Sequence, residues 1–252
     1  MPRKAREKSK TGIYHVILRG TNRQTIFEDE KDKLKFTQTL RDYKEKSGYK
    51  LYAYCLMGNH IHLLLQEGKE ELGTVMRRIG ASYVYWYNWK YQRSGHLFQD
   101  RYKSEPVDHE SYFLTVVRYI HQNPLKAGLV KDISDYKWCS YNEYVGKKRI
   151  TDIDYTLNLI SKDRKKAIES FKTFHQEISN DQCMEAESRR RFTDEQAIEE
   201  IKEICSIMNC QELQHFEPAI RNTFLKALKE QGLSTRQLER LTGISRMIIL
   251  KA

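Results

Sequence analysis

Two histidines two residues apart, His60 and His62 in the run Met57-Gly58-Asn59-His60-Ile61-His62, are the first side chains of this sequence whose spacing suggests chemistry. On a β-strand both project from one face and Ile61 from the other, so two imidazole nitrogens can converge on one point. Imidazole suits divalent metals, so the pair reads either as half of a small metal site or as two histidines on a polar sheet face. The second group is Arg118-Tyr119-Ile120-His121-Gln122-Asn123-Pro124. In a helix Tyr119 and Asn123 lie about one turn apart and share a face, while His121 turns away from both. An Asn carbonyl can ligate a hard cation, and a phenol oxygen one turn away can attack a phosphorus bound to that cation. The bland alternatives are packing for Tyr119, one of 16 Tyr in the chain, and a simple helix stop for Asn123 before Pro124.

The elements that must position these residues are legible as patterns. Ile13 to Leu18 reads as a strand ending at Gly20. Asp29 to Lys46 carries Leu34, Phe36, Leu40 and Tyr43 at helical spacing, and Ser47-Gly48 stops it. Tyr49 to Leu56 and His60 to Leu65, joined by Met57-Gly58-Asn59, form a hairpin. A helix over 71–90, a strand over 97–107 and a helix over 108–122 complete the order βαββαβα, the order of a ferredoxin-like α+β layer. The helix over 71–90 includes Tyr83-Val84-Tyr85-Trp86-Tyr87-Asn88-Trp89-Lys90-Tyr91, with aromatics all round it. One side must be core, and another is left to meet something else, such as unpaired bases.

Composition limits the partners. The chain has 252 residues, 44 Lys+Arg against 34 Asp+Glu and a formal net charge of +10, which favours a polyanion. Only 39% of residues are hydrophobic, and no run approaches the roughly 20 apolar residues of a membrane span, so no membrane partner and a cytoplasmic location are expected. Five cysteines without a C-x-x-C pair read as reduced thiols rather than a disulfide framework or zinc ribbon. No G-x-x-x-x-G-K motif is present, so no nucleotide cofactor is expected.

Together these pieces resemble the HUH single-strand transposases of the tyrosine type, and within them the REP-associated tyrosine transposases. The resemblance runs over about residues 12 to 145. It is carried by Tyr14-His15-Val16 with Arg19-Gly20-Thr21-Asn22-Arg23, the His60-Ile61-His62 run, Gly95-His96-Leu97-Phe98 with Arg101-Tyr102-Lys103, and Tyr119 to Pro124. It implies that His60 and His62 hold Mg²⁺ or Mn²⁺ and that Tyr119 cuts single-stranded DNA, leaving a 5′-phosphotyrosine and a free 3′-hydroxyl. Asn123 then stands where related insertion-sequence enzymes have Gln, one methylene longer, as third metal ligand. Arg19, Asn22 and Arg23, where the first strand enters its loop, are candidates for reading unpaired bases or holding phosphates. Arg101 and Lys103, alternating on one face of the fourth strand, are candidates for the scissile phosphate.

The chain divides into a basic tail (1–11), a catalytic domain (12–150), a helical linker region (151–189) and a helical domain (190–252). Residues 221–252 hold seven Lys/Arg and two Glu. Within them GLSTRQLERLTGISRMIILKA resembles a helix-turn-helix, with Ser234 and Gln237 as a capping box and Gly243 as the break. That motif places its second helix in the major groove, so Arg236, Ser245 and Arg246 become candidate contacts to duplex DNA. The expected activity is metal-dependent cleavage and joining at structured or palindromic DNA. Its partners are single-stranded and hairpin DNA with flanking duplex, and its state is monomer or homodimer. The rival is a catalytically silent DNA-binding regulator on the same fold. An RNA-binding protein is the weakest reading, since no K/R-G-F/Y-G/A-F-V-x-F/Y run occurs.

Overall fold

The computed structural model describes residues 6–146, 149–177, 183–184 and 192–252. The first five residues of the basic tail, Lys147-Lys148 at the catalytic-domain boundary, and residues 178–182 and 185–191, where the sequence reading joins the linker to the last domain, lie outside the described residues. The chain forms two compact units, Met1–Ala186 and Glu187–Ala252.

In the first unit, β1 (Ile13–Arg19), β2 (Lys50–Leu56), β3 (His60–Gln66) and β4 (Lys103–Pro106) form one sheet in the order β2-β3-β1-β4. All neighbouring strands are antiparallel. With α1 (Glu30–Ser47), α2 (Leu72–Lys90) and α3 (Glu110–Lys126) this is the ferredoxin-like α+β layer that the sequence order predicts. The period of two sorts the strands. Tyr14, Val16, Leu18, Ile61, Leu63 and Leu65 pack under α1 and α2, whereas Ile13, Leu64 and the site residues face α3. Asp29 caps α1 through a reciprocal pair with Asp32, and Gly48 ends it at φ 68°, as its sequence position demands.

Three expectations are corrected. The fourth strand is short, because residues 95–102 take an irregular path that starts at Gly95 (φ 92°) and touches the sheet through a single bridge, Gly20 to Phe98. Pro124 does not stop α3, which runs on to Lys126. Only the N–H of residue 124 is lost, and the last turn is closed by Ala127 N–H to Asn123 O (3.0 Å) and Leu129 N–H to Pro124 O (2.9 Å). Finally, 151–176 is not a linker. After α4 (Tyr141–Val145), helices α5 (Ile153–Ile160) and α6 (Arg164–Gln176) bury Leu157 and Phe171 in the core beneath α3, so both faces of the sheet are covered. The described part of the tail is docked as well, with Arg6 donating to Tyr102 O (2.8 Å) and Ser9 to Asp108 (2.7 Å).

The second unit is helical: α7 (Asp194–Cys205), α8 (Pro218–Gln231), α9 (Thr235–Thr242) and α10 (Arg246–Lys251) enclose Ile201, Leu213, Leu225, Leu228, Leu238 and Ile249. Among the described residues no helix is long and apolar enough to cross a membrane.

Candidate active site

The β2–β3 hairpin delivers the histidine pair. Met57 N–H to His60 O (2.9 Å) closes its turn, and β3 then carries His60 opposite Arg19 and His62 opposite Ile17 on the face toward α3. The His60 and His62 rings lie 5.0 Å apart between centroids. Burial lowers His60 to about 4, with the Arg19 charge adding to it, and burial holds His62 well below the usual histidine range. Both rings are therefore neutral at pH 7, the form that offers a lone pair to a metal. His60 Nδ1 is tied to Asn59 Oδ1 (2.7 Å), while His62 Nε2 is buried with no hydrogen-bond partner.

Helix α3 brings Tyr119 onto this pair. Its ring stands edge-on to His62 at 5.7 Å and to His15 at 5.8 Å, and Lys126 Nζ lies 4.9 Å from its centroid. One turn on, Asn123 Nδ2 donates to Tyr119 O (2.8 Å), a bond that does not use the amide oxygen. Residues some sixty positions apart in sequence thus share one cluster. His121 turns the other way, into the core, where it bonds His175 (2.9 Å) and Ser140 (2.7 Å) and pins α3 to α6.

Two members of the cluster carry no local signal. His15 on β1 bonds His62 Nδ1 through its Nε2 (3.0 Å) and Glu105 on β4 through its Nδ1 (2.8 Å). Burial opposes ionisation of Glu105. The hydrogen bonds it accepts from His15, Met184 N–H and Tyr112 hydroxyl nevertheless hold it below the usual carboxylate range. Tyr112, a conceivable second nucleophile on α3, is thereby committed as a donor, and burial with the Glu105 charge raises its hydroxyl far above the ordinary phenol range. Only the strand register could reveal the set: His15 pairs with Glu105 and sits diagonally from His62.

The fit to a divalent cation is that of two neutral imidazoles with one orphaned buried nitrogen. Among the described residues no three His, Cys, Asp or Glu side chains are arranged to hold a metal ion, so a cation here would need an amide, waters or phosphate oxygens to complete its shell.

With this geometry in place, the comparisons are specific. Residues 8–123 match the family model of IS200-like transposases. Over that stretch the chain is similar to the IS200-like transposases. The match spans Ser9, which docks on Asp108, the sheet, the histidine pair and Tyr119, and ends at Asn123. Among solved structures, a REP-associated tyrosine transposase bound to a REP hairpin superposes with a TM-score of 0.51 at 18% identity, covering 61% of this chain and 96% of that one. A protein of Deinococcus radiodurans R1 assigned as a transposase gives a TM-score of 0.34 at 20% identity over 48% of this chain and 97% of that one. No curated protein matches the chain.

Around the histidine–tyrosine cluster the candidate DNA contacts separate. Arg19 flanks His60 across β1–β3. Asn22 and Arg23 occupy a 3-10 turn at φ 50° and 61°, an unusual backbone for a non-glycine pair. Gly20 lets that turn close: a Cβ there would lie 2.2 Å from Gln24 O. Lys103 pairs with Ile17 on the α3 face, but Arg101 precedes the strand and lines a cavity of about 690 Å³ against α2, with Arg6, Arg77, His96, Gly73 and Gly80. The two therefore do not share a face, because the strand begins only at Lys103. Further along α2, Tyr83 and Tyr87 are core while Tyr85 (79% exposed) and Trp89 (72%) face solvent. In the second unit Arg236, Ser245 and Arg246 are all exposed. Ser234 caps α9 through Gln237 N–H (3.2 Å), whereas Ser245 precedes α10 without a side-chain cap bond.

Proposed function

We propose that the first unit cuts and rejoins single-stranded DNA at a structured or palindromic site through a covalent Tyr119 intermediate. The observation that carries this reading is the contact of the Tyr119 ring with neutral His62, which has His60 beside it and an orphaned, buried Nε2. His60, His62 and Asn123 would hold Mg²⁺ or Mn²⁺. When bound, the cation supplies positive charge to the scissile phosphate and favours the phenolate over a phenol of ordinary pKa near 10. Tyr119 Oη attacks the phosphorus, the bond to O3′ breaks, and the departing strand takes a proton as its 3′-hydroxyl while the 5′-phosphate stays on Tyr119. Rejoining reverses this, as a 3′-hydroxyl attacks the phosphotyrosine and Tyr119 recovers its proton. The phosphotyrosine keeps the energy of the broken bond, so no nucleotide is consumed. Lys126, beside the Tyr119 ring, and Lys103 add charge near the phosphate.

The cavity lined by Arg6, Arg77 and Arg101 suits a phosphate backbone, and Tyr85 and Trp89, exposed on α2, offer faces to bases. The likeness to a hairpin-bound transposase supports a hairpin as the partner. In the second unit, α9, Gly243 and α10 supply a helix-turn-helix for flanking duplex, with Arg236, Ser245 and Arg246 toward the groove. The test is incubation with a labelled hairpin oligonucleotide and Mn²⁺, then denaturing electrophoresis. A covalent adduct is expected from the parent and none from Tyr119→Phe, which keeps the ring and should bind the hairpin nearly as well. Hairpin binding without any parental adduct would instead establish the silent regulator.

A further inference from the structure

Glu105, His15 and His62 form a hydrogen-bonded row across β4, β1 and β3, directly opposite from Glu105 Oε1 to His15 Nδ1 (2.8 Å) and diagonal from His15 Nε2 to His62 Nδ1 (3.0 Å). Both imidazoles are wholly buried. From this row we infer that Glu105 and His15 are positioning residues that fix His62 in one tautomer, with its proton on Nδ1 and a lone pair on Nε2 directed into the site.

The row has a direction because one end can only accept. A carboxylate offers no proton, so His15 Nδ1–H donates to Glu105. With that proton on Nδ1, His15 Nε2 is the accepting nitrogen of the ring, and His62 Nδ1–H is the donor in reach. The consequence falls on His62 Nε2, the buried nitrogen that has no protein partner. The reverse arrangement would put an N–H at that atom, a buried donor without an acceptor, which is the costlier state. Glu105 is itself held, since the same Oε1 accepts from Tyr112 hydroxyl (2.9 Å) and Met184 N–H (3.0 Å). Outer partners of this kind orient a histidine ligand and set which nitrogen is free.

The inference rests on the reading of His62 as a metal ligand for its purpose, but its content, the tautomer, is measurable without metal. In the metal-free protein labelled with ¹⁵N-histidine, long-range ¹H–¹⁵N correlation spectra should show His62 protonated on Nδ1. In Glu105→Ala, His15 loses its acceptor, can carry its proton on Nε2 and donates toward His62, so the His62 pattern should move toward the Nε2–H form. Calorimetric Mn²⁺ affinity should fall about 10- to 100-fold in Glu105→Ala. Glu105→Gln, which retains an acceptor oxygen, should keep the parental tautomer and most of the affinity. Those spectra decide the matter even if the alanine variant does not fold. A parental His62 protonated on Nε2, or a folded Glu105→Ala with unchanged tautomer and affinity, overturns the inference. A parent that shows the Nδ1–H tautomer and its loss in Glu105→Ala, yet binds no Mn²⁺, overturns the metal site and leaves the positioning row intact.

Discussion

The neutral imidazoles, the edge-on Tyr119 and the nearby Lys126 ammonium each make a separate prediction at the scale of single side chains. His60→Ala and His62→Ala should each abolish calorimetric Mn²⁺ binding and cut adduct formation at least 100-fold, since few protein ligands are to hand. Parental Mn²⁺ binding in both variants would return the pair to a structural role. Lys126→Met keeps the aliphatic stem over the Tyr119 ring but removes its charge. It should slow adduct formation roughly tenfold, equivalent to about 1.4 kcal/mol of transition-state stabilisation, with hairpin affinity unchanged; equal loss of affinity would make Lys126 a binding residue only. His60, His62 and Tyr119 stood out in the sequence as candidates through residue type and spacing taken together with the family resemblance. His15 and Glu105 were not, because their meeting depends on the β1–β3 and β1–β4 registers, which no local pattern specifies.

At the scale of elements, the βαββαβα order followed from the periodicities, whereas the ends of the elements followed from longer-range packing. A strand over 97–107 is a reasonable reading of Leu97-Phe98 and Tyr102-Lys103, but Leu97 is drawn into the core under α2 and only 103–106 pair as a strand. The charged, polar composition of α6 disguised 151–176 as a linker, although Ile153, Leu157, Ala167 and Phe171 are buried. Phe171 stacks on Tyr144 at 4.5 Å and an interplanar angle of 9°, and touches His175 at 4.0 Å. Phe171→Ala should therefore cost about 3–5 kcal/mol in urea unfolding of the first unit. A loss below ~1 kcal/mol would show that α6 lies outside the core after all.

For the molecule as a whole, buried uncharged histidines set the pH range of stability. Burial lowers His60 to about 4 and His175 to about 3, and holds His62 and His121 well below the usual range. Unfolded, each regains a pKa near 6.5. Between those limits the unfolded chain binds more protons, so stability is complete above about pH 6.5 and falls as the medium is acidified, by up to ~1.4 kcal/mol per pH unit for each histidine. Urea midpoints at pH 7.5 and pH 5 should differ accordingly, and equal midpoints would mean that the native state admits these protons. A second expectation concerns the two units. Removing residues 187–252 should leave cleavage of a single-stranded hairpin intact and flatten the salt dependence of duplex binding, by about 0.9 in log–log slope for each phosphate that the protein no longer neutralises. An unchanged slope would remove the helix-turn-helix reading.

The anchoring of α3 has one more consequence. Tyr119 and the histidine pair belong to the same polypeptide, and His121, bonded to His175 and Ser140 on the opposite side of the helix, keeps Tyr119 with its own β3 rather than lending it to another copy. The reacting centre is then complete at any dilution. Adduct formed per mole of protein should stay constant from micromolar down to nanomolar enzyme at saturating hairpin, and an inactive Tyr119→Phe chain mixed with an inactive His62→Ala chain should not restore cleavage.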